Sequence, residues 1–475
     1  MSEVVNEEAG PFTFIDLFAG IGGFHAALAA YGGKCWMASE IDPLARRVYA
    51  RNWDLVPKGD INDLTPAEGD IDVPPHDILA AGFPCQPFSK SGKQHGFRDV
   101  TRGTLFFNIC RILEVHRPPV IILENVRNLA GPRQQETWAT IVEMLRDLGY
   151  NVSWTPAVTS PHLLPPELGG TPQVRERVFI TGTYTGSAVS LEEDWDPVVS
   201  NRPVPKLDGT AWIPQQDWDL GRDLPLQDEG DVDQKYRLSS AELRWIDCWD
   251  DFLAVIEEPS LPGFPIWADD FRHPAVIPDG TPPWKQAFLF KNASLYDRNR
   301  SAIDDWMKRW DQLEWMPPSR RKLEWQAQDT QPRSLKECVL HFRPSGIRAK
   351  RGTYLPALVA ITQTSVLGKR GRKITPLEAQ RLQGLPDAFD FGLQGDAATY
   401  KQLGNGVAVG AVYHVLREHI RRDEALLRKR GYGYLVDQVL DSASAPIIPL
   451  HGNAKALDVM GVDAIDLNVY DTAIC

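Results

Sequence analysis

Phe12-Thr13-Phe14-Ile15-Asp16-Leu17-Phe18-Ala19-Gly20-Ile21-Gly22-Gly23 is an apolar run that ends in a cluster of glycines. An Ala/Leu-rich helix follows, from about Gly22 to Tyr31. Strand, glycine turn and helix in that order open a nucleotide-binding βαβ unit. The glycines let backbone approach a ligand closely, and the helix N-terminus favours polar or anionic groups. The cluster lacks the G-x-G-x-x-G spacing of a pyrophosphate site, so by itself it specifies no ligand.

Outward from this turn, a second strand, Lys34 to Ser39, ends in Glu40-Ile41-Asp42. An acid about twenty residues after the glycines is where such sheets hydrogen-bond ribose hydroxyls. Gly59-Asp60-Ile61 reads as the close of a third strand and offers a second carboxylate to the same crevice. Either acid alone would pass for a surface residue at a strand end; the glycine turn and both acids together predict a cofactor pocket. His76 to Ala81 is a short strand that runs out into Gly82-Phe83-Pro84-Cys85-Gln86-Pro87-Phe88-Ser89. Open α/β sheets carry their reactive groups just past a strand end. A Pro-Cys pair in isolation reads more simply as a small buried cysteine in a turn.

Residues 90–99 are basic, glycine-punctuated and aperiodic, which predicts a loop. A helix from about Gly103 to His116 follows, then a strand from Pro119 to Leu123 that delivers Glu124 to the same sheet edge. Helix Glu136–Leu148 and strand Tyr150–Val158 continue the alternation, and Gln173-Val174-Arg175-Glu176-Arg177 enters the strand Val178-Phe179-Ile180. The pattern predicts an α/β fold with a doubly wound, mostly parallel, Rossmann-like sheet.

A chain of 475 residues is too long for one core, so a second, smaller domain is expected. The alternation breaks near Gly182, and 186–330 holds 11 of the 15 tryptophans. Helix Ala241–Ile256 should bury Leu243, Ile246, Phe252 and Leu253; helix Ser301–Trp315 spaces Ile303, Trp306, Met307, Trp310 and Leu313 along one face. Helical spacing explains these tryptophans as core. Thr375-Pro376-Leu377-Glu378 starts another helix, with Thr as N-cap, Pro at N1 and Glu at N3. Gln402-Leu403-Gly404-Asn405-Gly406-Val407 is a tight turn feeding a long helix toward Arg430. There is no internal repeat, and 433–475 carries no motif.

Composition is that of an ordinary globular protein, 43% hydrophobic and 24% charged. No apolar run is long enough to span a bilayer, and the acidic first eight residues are unlike a signal peptide. Six scattered cysteines without a Cys-x-x-Cys pair argue against a metal site or a disulfide framework and fit a reducing cytoplasm. A net charge of −12 speaks against nucleic acid, but binding follows local fields. Between Phe342 and Ile374 stand Arg343, Arg348, Lys350, Arg351, Lys369, Arg370, Arg372 and Lys373, with no acid among them. That run is either a solvated loop or a phosphate-contacting surface.

The Gly82–Ser89 run, with Phe18-Ala19-Gly20-Ile21-Gly22-Gly23, Glu124-Asn125-Val126 and Gln173-Val174-Arg175-Glu176-Arg177, resembles the DNA cytosine-5 methyltransferases. The resemblance covers the first 183 residues and returns at about 374–415. It implies S-adenosylmethionine as cofactor and cytosine in double-stranded DNA as substrate. The chemistry suits those residues. Cytosine C5 is a poor nucleophile until a soft nucleophile adds at C6, and the charge then building on the ring needs a partner. The resemblance assigns these catalytic parts to Cys85, Glu124, Arg175 and Arg177, the second arginine reaching the ring O2. It assigns the cofactor to Phe18, Gly20, Ile21, Gly23, Glu40, Ile41, Asp60, Ile61, Gly82, Pro84, Leu105, Asn405 and Val407, with no metal. Gln86, Ser89 and Ser91 would approach a flipped base, and Arg343, Arg348, Lys350 and Arg351 the DNA. Gly406 stands where the family commonly has Ser or Ala.

By this resemblance the chain divides into a catalytic and cofactor-binding part (1–185), a target-recognition domain with insert (186–373), a return to the catalytic part (374–432) and a tail (433–475). A bacterial, cytoplasmic, nucleoid-associated monomer of a restriction–modification system is implied, with a separate cognate endonuclease and no membrane contact. Two alternatives stand beside it: an RNA (tRNA) cytosine-5 methyltransferase of the same fold, and a catalytically silent DNA-binding protein. The absence of a Cys-Phe-Thr signature counts against the first, and the intact chemical residues against the second.

Overall fold

The apolar run that opens the chain becomes strand β1, Thr13–Leu17, in a computed structural model that describes residues 10–66, 69–84, 104–224, 226–258, 261–328, 331–358 and 364–450. It pairs in parallel with β2 (Lys34–Ser39) and with β3 (Ile78–Gly82), and β3 pairs in parallel with β4 (Val120–Val126). Strands β5 (Ala157–Thr159) and β6 (Arg177–Thr183) complete the sheet, with β6 antiparallel to both β4 and β5. The order is β2-β1-β3-β4-β6-β5. Parallel neighbours separated by helices give the predicted doubly wound architecture. The central strands are apolar throughout because both faces are covered: Ile78, Leu79, Val120, Ile121, Ile122 and Leu123 are fully buried.

Helices α1 (Gly23–Ala29), α2 (Pro43–Asn52), α3 (Ile61–Leu64), α4 (Leu105–His116) and α5 (Gln135–Asp147) link the strands. Two predicted elements differ. Gly59-Asp60-Ile61 closes no strand: the Asp60 carboxylate accepts the Asn62 N–H at 2.9 Å and caps α3. An acid before an apolar residue serves a strand end or a helix start equally well. Of the predicted strand Tyr150–Val158, only Ala157 and Val158 lie in β5; Tyr150 makes a single bridge to Tyr184.

By contacts the chain forms two units: 1–217, 357–360 and 379–475 in the first, 218–356 and 361–378 in the second. Residues 186–217 thus fall in the first unit, and the buried Arg146 on α5 shows how their start is held. It donates to the carbonyls of Val152 (2.9 Å) and Ser190 (3.0 Å), with the rings of Trp154 and Trp195 about 5 Å from its guanidinium. The long helix Val409–Lys429 packs on α1 and β6, and helix Gly433–Leu440 packs on it in turn. The start of the unread tail is therefore an ordered element.

The second unit has its own core of Trp249, Phe252, Ile303, Trp306 and Trp325 around a six-stranded sheet. Trp306 is core, as its spacing predicted, but Trp310 is only partly buried against that core and Leu243 is 40% exposed. The helix predicted over Ser301–Trp315 ends at Arg309, because Asp311, Gln312 and Leu313 take positive φ. Thr375 and Glu378 form the predicted reciprocal cap, Thr375 N–H donating to Glu378 at 2.9 Å. Glu378 also binds the fully buried Arg372 through two hydrogen bonds of 2.8 and 2.9 Å, and Glu229 takes Arg372 Nε at 2.8 Å. No described helix is long and apolar enough to cross a membrane.

One buried carboxylate ties the first unit's last long helix to its sheet. Asp423 accepts from Thr183 (2.7 Å), Asn151 (3.0 Å) and Arg422 (2.8 Å). Burial alone would raise this carboxyl, but His419, Arg422 and Thr183 outweigh it and hold it well below the usual carboxylate range. Asp423→Ala should cost about 3 kcal/mol in urea unfolding at neutral pH. A depressed carboxyl stabilises above its unfolded value and loses that contribution as pH falls. The gap between wild type and variant should therefore narrow below about pH 4. A gap independent of pH would rule out the ionised carboxylate as its source.

Candidate active site

Eight stretches of the first unit enclose a cleft of about 570 Å³ at the carboxyl ends of β1 to β4, the size of a small-molecule site. Its floor is the turn after β1. Phe18 takes φ +56° there, a costly conformation for a residue with a side chain, and Gly20 and Gly22 follow at +55° and +92°. Glu40 fixes this shape from the end of β2: one carboxylate oxygen accepts the Gly20 N–H and the other the Asp42 N–H, both at 2.8 Å. Each oxygen keeps a lone pair for a further donor. A Cβ at Gly22 would lie 2.2 Å from Trp53 Nε1, and one at Gly23 2.7 Å from Val407 Cγ2.

Of the residues predicted for the cofactor, Phe18, Gly20, Gly23, Glu40, Ile41, Asp60, Ile61, Gly82, Pro84, Leu105, Asn405 and Val407 all line this one cleft. Ile21 does not. It is buried, and its carbonyl accepts the Trp53 indole N–H at 3.1 Å. Lys401 and Asp42, which the sequence reading passed over, also line the cleft and pair at 3.7 Å. The signal was available for Lys401: it stands four residues before Asn405 on helix Asp396–Asn405, one turn along the same face.

Glu124 enters the cleft from the end of β4, opposite Gly82 in register. A Cβ at Gly82 would stand 3.7 Å from the Glu124 carboxylate, an ordinary contact. Arg177 Nε donates to Glu124 Oε1 at 2.8 Å. Burial pushes the Glu124 carboxyl up from its ordinary value, with Arg177 and then Arg175 pulling the other way. The balance favours a carboxyl that holds a proton more readily than a surface glutamate. Asn125 stands next to Glu124 in the Glu-Asn-Val motif. Its side-chain N–H donates to the Phe83 carbonyl at 2.8 Å and so fixes the chain two residues before Cys85. Cys85, Gln86, Ser89 and Ser91 lie outside the described residues.

The structure separates the two arginines. Arg177 lines the cleft, whereas Arg175 is 2% exposed and is absent from the lining. The DNA-contact candidates lie in the second unit. Arg343 and Arg348 both pair with Glu324, at 3.4 and 2.7 Å, and burial followed by the charges of Arg348 and Arg343 lowers the Lys350 ammonium. Lys350 and Arg351 occupy the same strand as Arg348, Gly346–Arg351. Farther along the run, Lys369, Arg370, Arg372 and Lys373 face Glu337, Glu229, Glu378 and Glu242. Acids remote in sequence neutralise much of the basic run.

A cleft at the carboxyl ends of a doubly wound sheet, with a buried carboxyl–guanidinium pair in its wall, is where α/β enzymes carry their sites. The comparisons make that specific. The family model described as C-5 cytosine-specific DNA methylase matches residues 12–243 and 276–421, and the chain belongs to that family. Type II methyltransferase M.AluI of Cellulosimicrobium cellulans is 48% identical over 88% of this chain and 93% of its own length. M.HpaII of Haemophilus parainfluenzae is 32% identical (84% and 87%), and M.BanI of Aneurinibacillus aneurinilyticus 31% (85% and 95%).

The ion pair makes a direct prediction. Arg177→Gln removes the nearest cation, so the Glu124 carboxyl should titrate still higher in the variant, followed by carbon-13 NMR of glutamate-labelled protein. An unchanged titration would show that the pair does not form in solution.

Proposed function

We propose that this protein methylates C5 of a cytosine flipped out of a specific double-stranded DNA site, as the modification half of a restriction–modification pair. Family membership supports the reaction, and the Glu124–Arg177 pair in the cleft is the observation that carries it to particular residues. The cofactor would be S-adenosylmethionine, which supplies an electrophilic methyl group. The donor set fits it: Glu40 offers free lone pairs toward ribose hydroxyls, Phe18 and Ile41 offer apolar surface to the adenine, and Asp60 stands beside them.

The roles follow from the chemistry. The Cys85 thiolate adds to C6, and the ring's electrons shift toward N3 and C5. Glu124, with its raised carboxyl, places a hydrogen bond at N3, and Arg177 faces O2. After methyl transfer, which would leave S-adenosylhomocysteine, water takes the C5 proton, and the electrons of that bond expel the Cys85 thiolate and restore the ring. Cys85, Glu124 and Arg177 return to their starting states. The second unit, 218–356 with 361–378, is assigned to reading the DNA, with Lys350 and Arg351 among the phosphate contacts. The enzyme is taken to act as a monomer, beside a separate nuclease. An RNA substrate or a silent binder has no observation in its favour.

Two measurements test the reading. Glu40→Ala should weaken S-adenosylmethionine binding by about 1.5–3 kcal/mol, the range for hydrogen bonds to a charged group. Unchanged calorimetric affinity in the folded variant would remove Glu40 from the site. Bisulfite sequencing of DNA from an expressing host should reveal one methylated cytosine context. An oligonucleotide with 5-fluorocytosine at that base should then form a denaturation-resistant adduct, because fluorine cannot leave as the proton does. Mass spectrometry should place the link on Cys85; attachment elsewhere, or no adduct on a confirmed substrate, overturns the assignment.

A further inference from the structure

Arg175 was expected to act on the base, yet its charge is spent on backbone. Nη1 donates to the Leu358 carbonyl at 3.2 Å, and Nη2 to the carbonyls of Gly404, at 2.9 Å, and Gly406. Gly404 lies at the C-terminal end of helix Asp396–Asn405, where the last carbonyls have no partner within the helix and the helix dipole favours a cation. Gln383 meets the neighbouring carbonyl, Leu403, at 2.6 Å. Both side chains are buried, and together they cap the helix whose last residue is Asn405. Beyond it, Val407 packs onto the space left by Gly23. The end of this helix is therefore one wall of the cleft, and Arg175 holds it from behind.

We propose that Arg175 is a positioning residue for the cofactor wall: it fixes Asn405 and Val407 through the carbonyls of Gly404 and Gly406, which precede each of them, and it does not touch the target base. This rests on the reading of the cleft as an S-adenosylmethionine site. A planar fork that serves three carbonyls is a task for Arg rather than Lys. Desolvation and then the like charge of Arg177 lower the Arg175 pKa to about 9, with the Glu124 charge opposing them, so the guanidinium still carries its charge at neutral pH.

The test uses the full chain and S-adenosylhomocysteine, whose binding requires no DNA and no turnover. R175K should bind it about tenfold more weakly by calorimetry, the equivalent of one lost charged hydrogen bond. KM for S-adenosylmethionine should rise by a similar factor, while kcat at saturating cofactor and DNA affinity without cofactor stay near wild type. A base-contacting role predicts the opposite split, with unchanged S-adenosylhomocysteine affinity and a fallen kcat, and that result would overturn the proposal. Should R175K fail to fold, Q383L removes the companion cap at Leu403 and must show the same preferential loss of cofactor affinity; unchanged affinity there also overturns it. A wild-type chain that binds no S-adenosylhomocysteine would instead sink the cofactor reading.

Discussion

Val407 occupies the space where a side chain on Gly23 would stand, and the architecture of the cleft depends on that contact. The turn after β1 is only half an enclosure; its other half arrives with Gly404, Asn405, Gly406 and Val407, from nearly the far end of the chain. Neither half holds the shape unaided. The strained φ of Phe18 persists because Glu40 and the packed helices around it leave the turn no alternative. A cleft closed by residues so remote in sequence forms only when the whole first unit has folded.

Within the cleft, the acids do two kinds of work. Glu40, Asp42 and Asp60 each accept backbone N–H groups, so their charges are compensated locally and they hold the loops that carry them. Among the described residues Glu124 has a different setting, with an arginine as its partner and burial as the dominant influence. Three of these acids shape the loops that carry them. The fourth holds a proton more readily than a surface glutamate, because burial outweighs its arginine partner.

Much of this was legible in the sequence because it rests on local signals. A strand, a glycine turn and an acid twenty residues on place one end of the cleft, and the Thr375–Glu378 cap is written in four consecutive residues. What was not legible depends on partners brought from afar. Arg175 and Arg177 stand two positions apart in one motif, and their distant partners, the carbonyls of Gly404 and Gly406 for one and Glu124 for the other, give them different tasks. The basic run looks like a uniform cationic tract until Glu324, Glu337, Glu229 and Glu242 are set against it. Asp60 misled for a local reason: the acid that ends a strand and the acid that starts a helix are the same residue type.

The Arg372–Glu378 pair bears on where the second unit could be exchanged between relatives. Both side chains are wholly buried, and Glu378 is the last residue of the second unit before the chain returns. A crossover between the two would part them in the hybrid, and a buried charge without its partner costs about 3–5 kcal/mol. A cassette that ends after Glu378 and includes Glu229 carries the whole charge group with it. The productive breakpoint is therefore set by electrostatics, a few residues beyond the point where the family motifs resume.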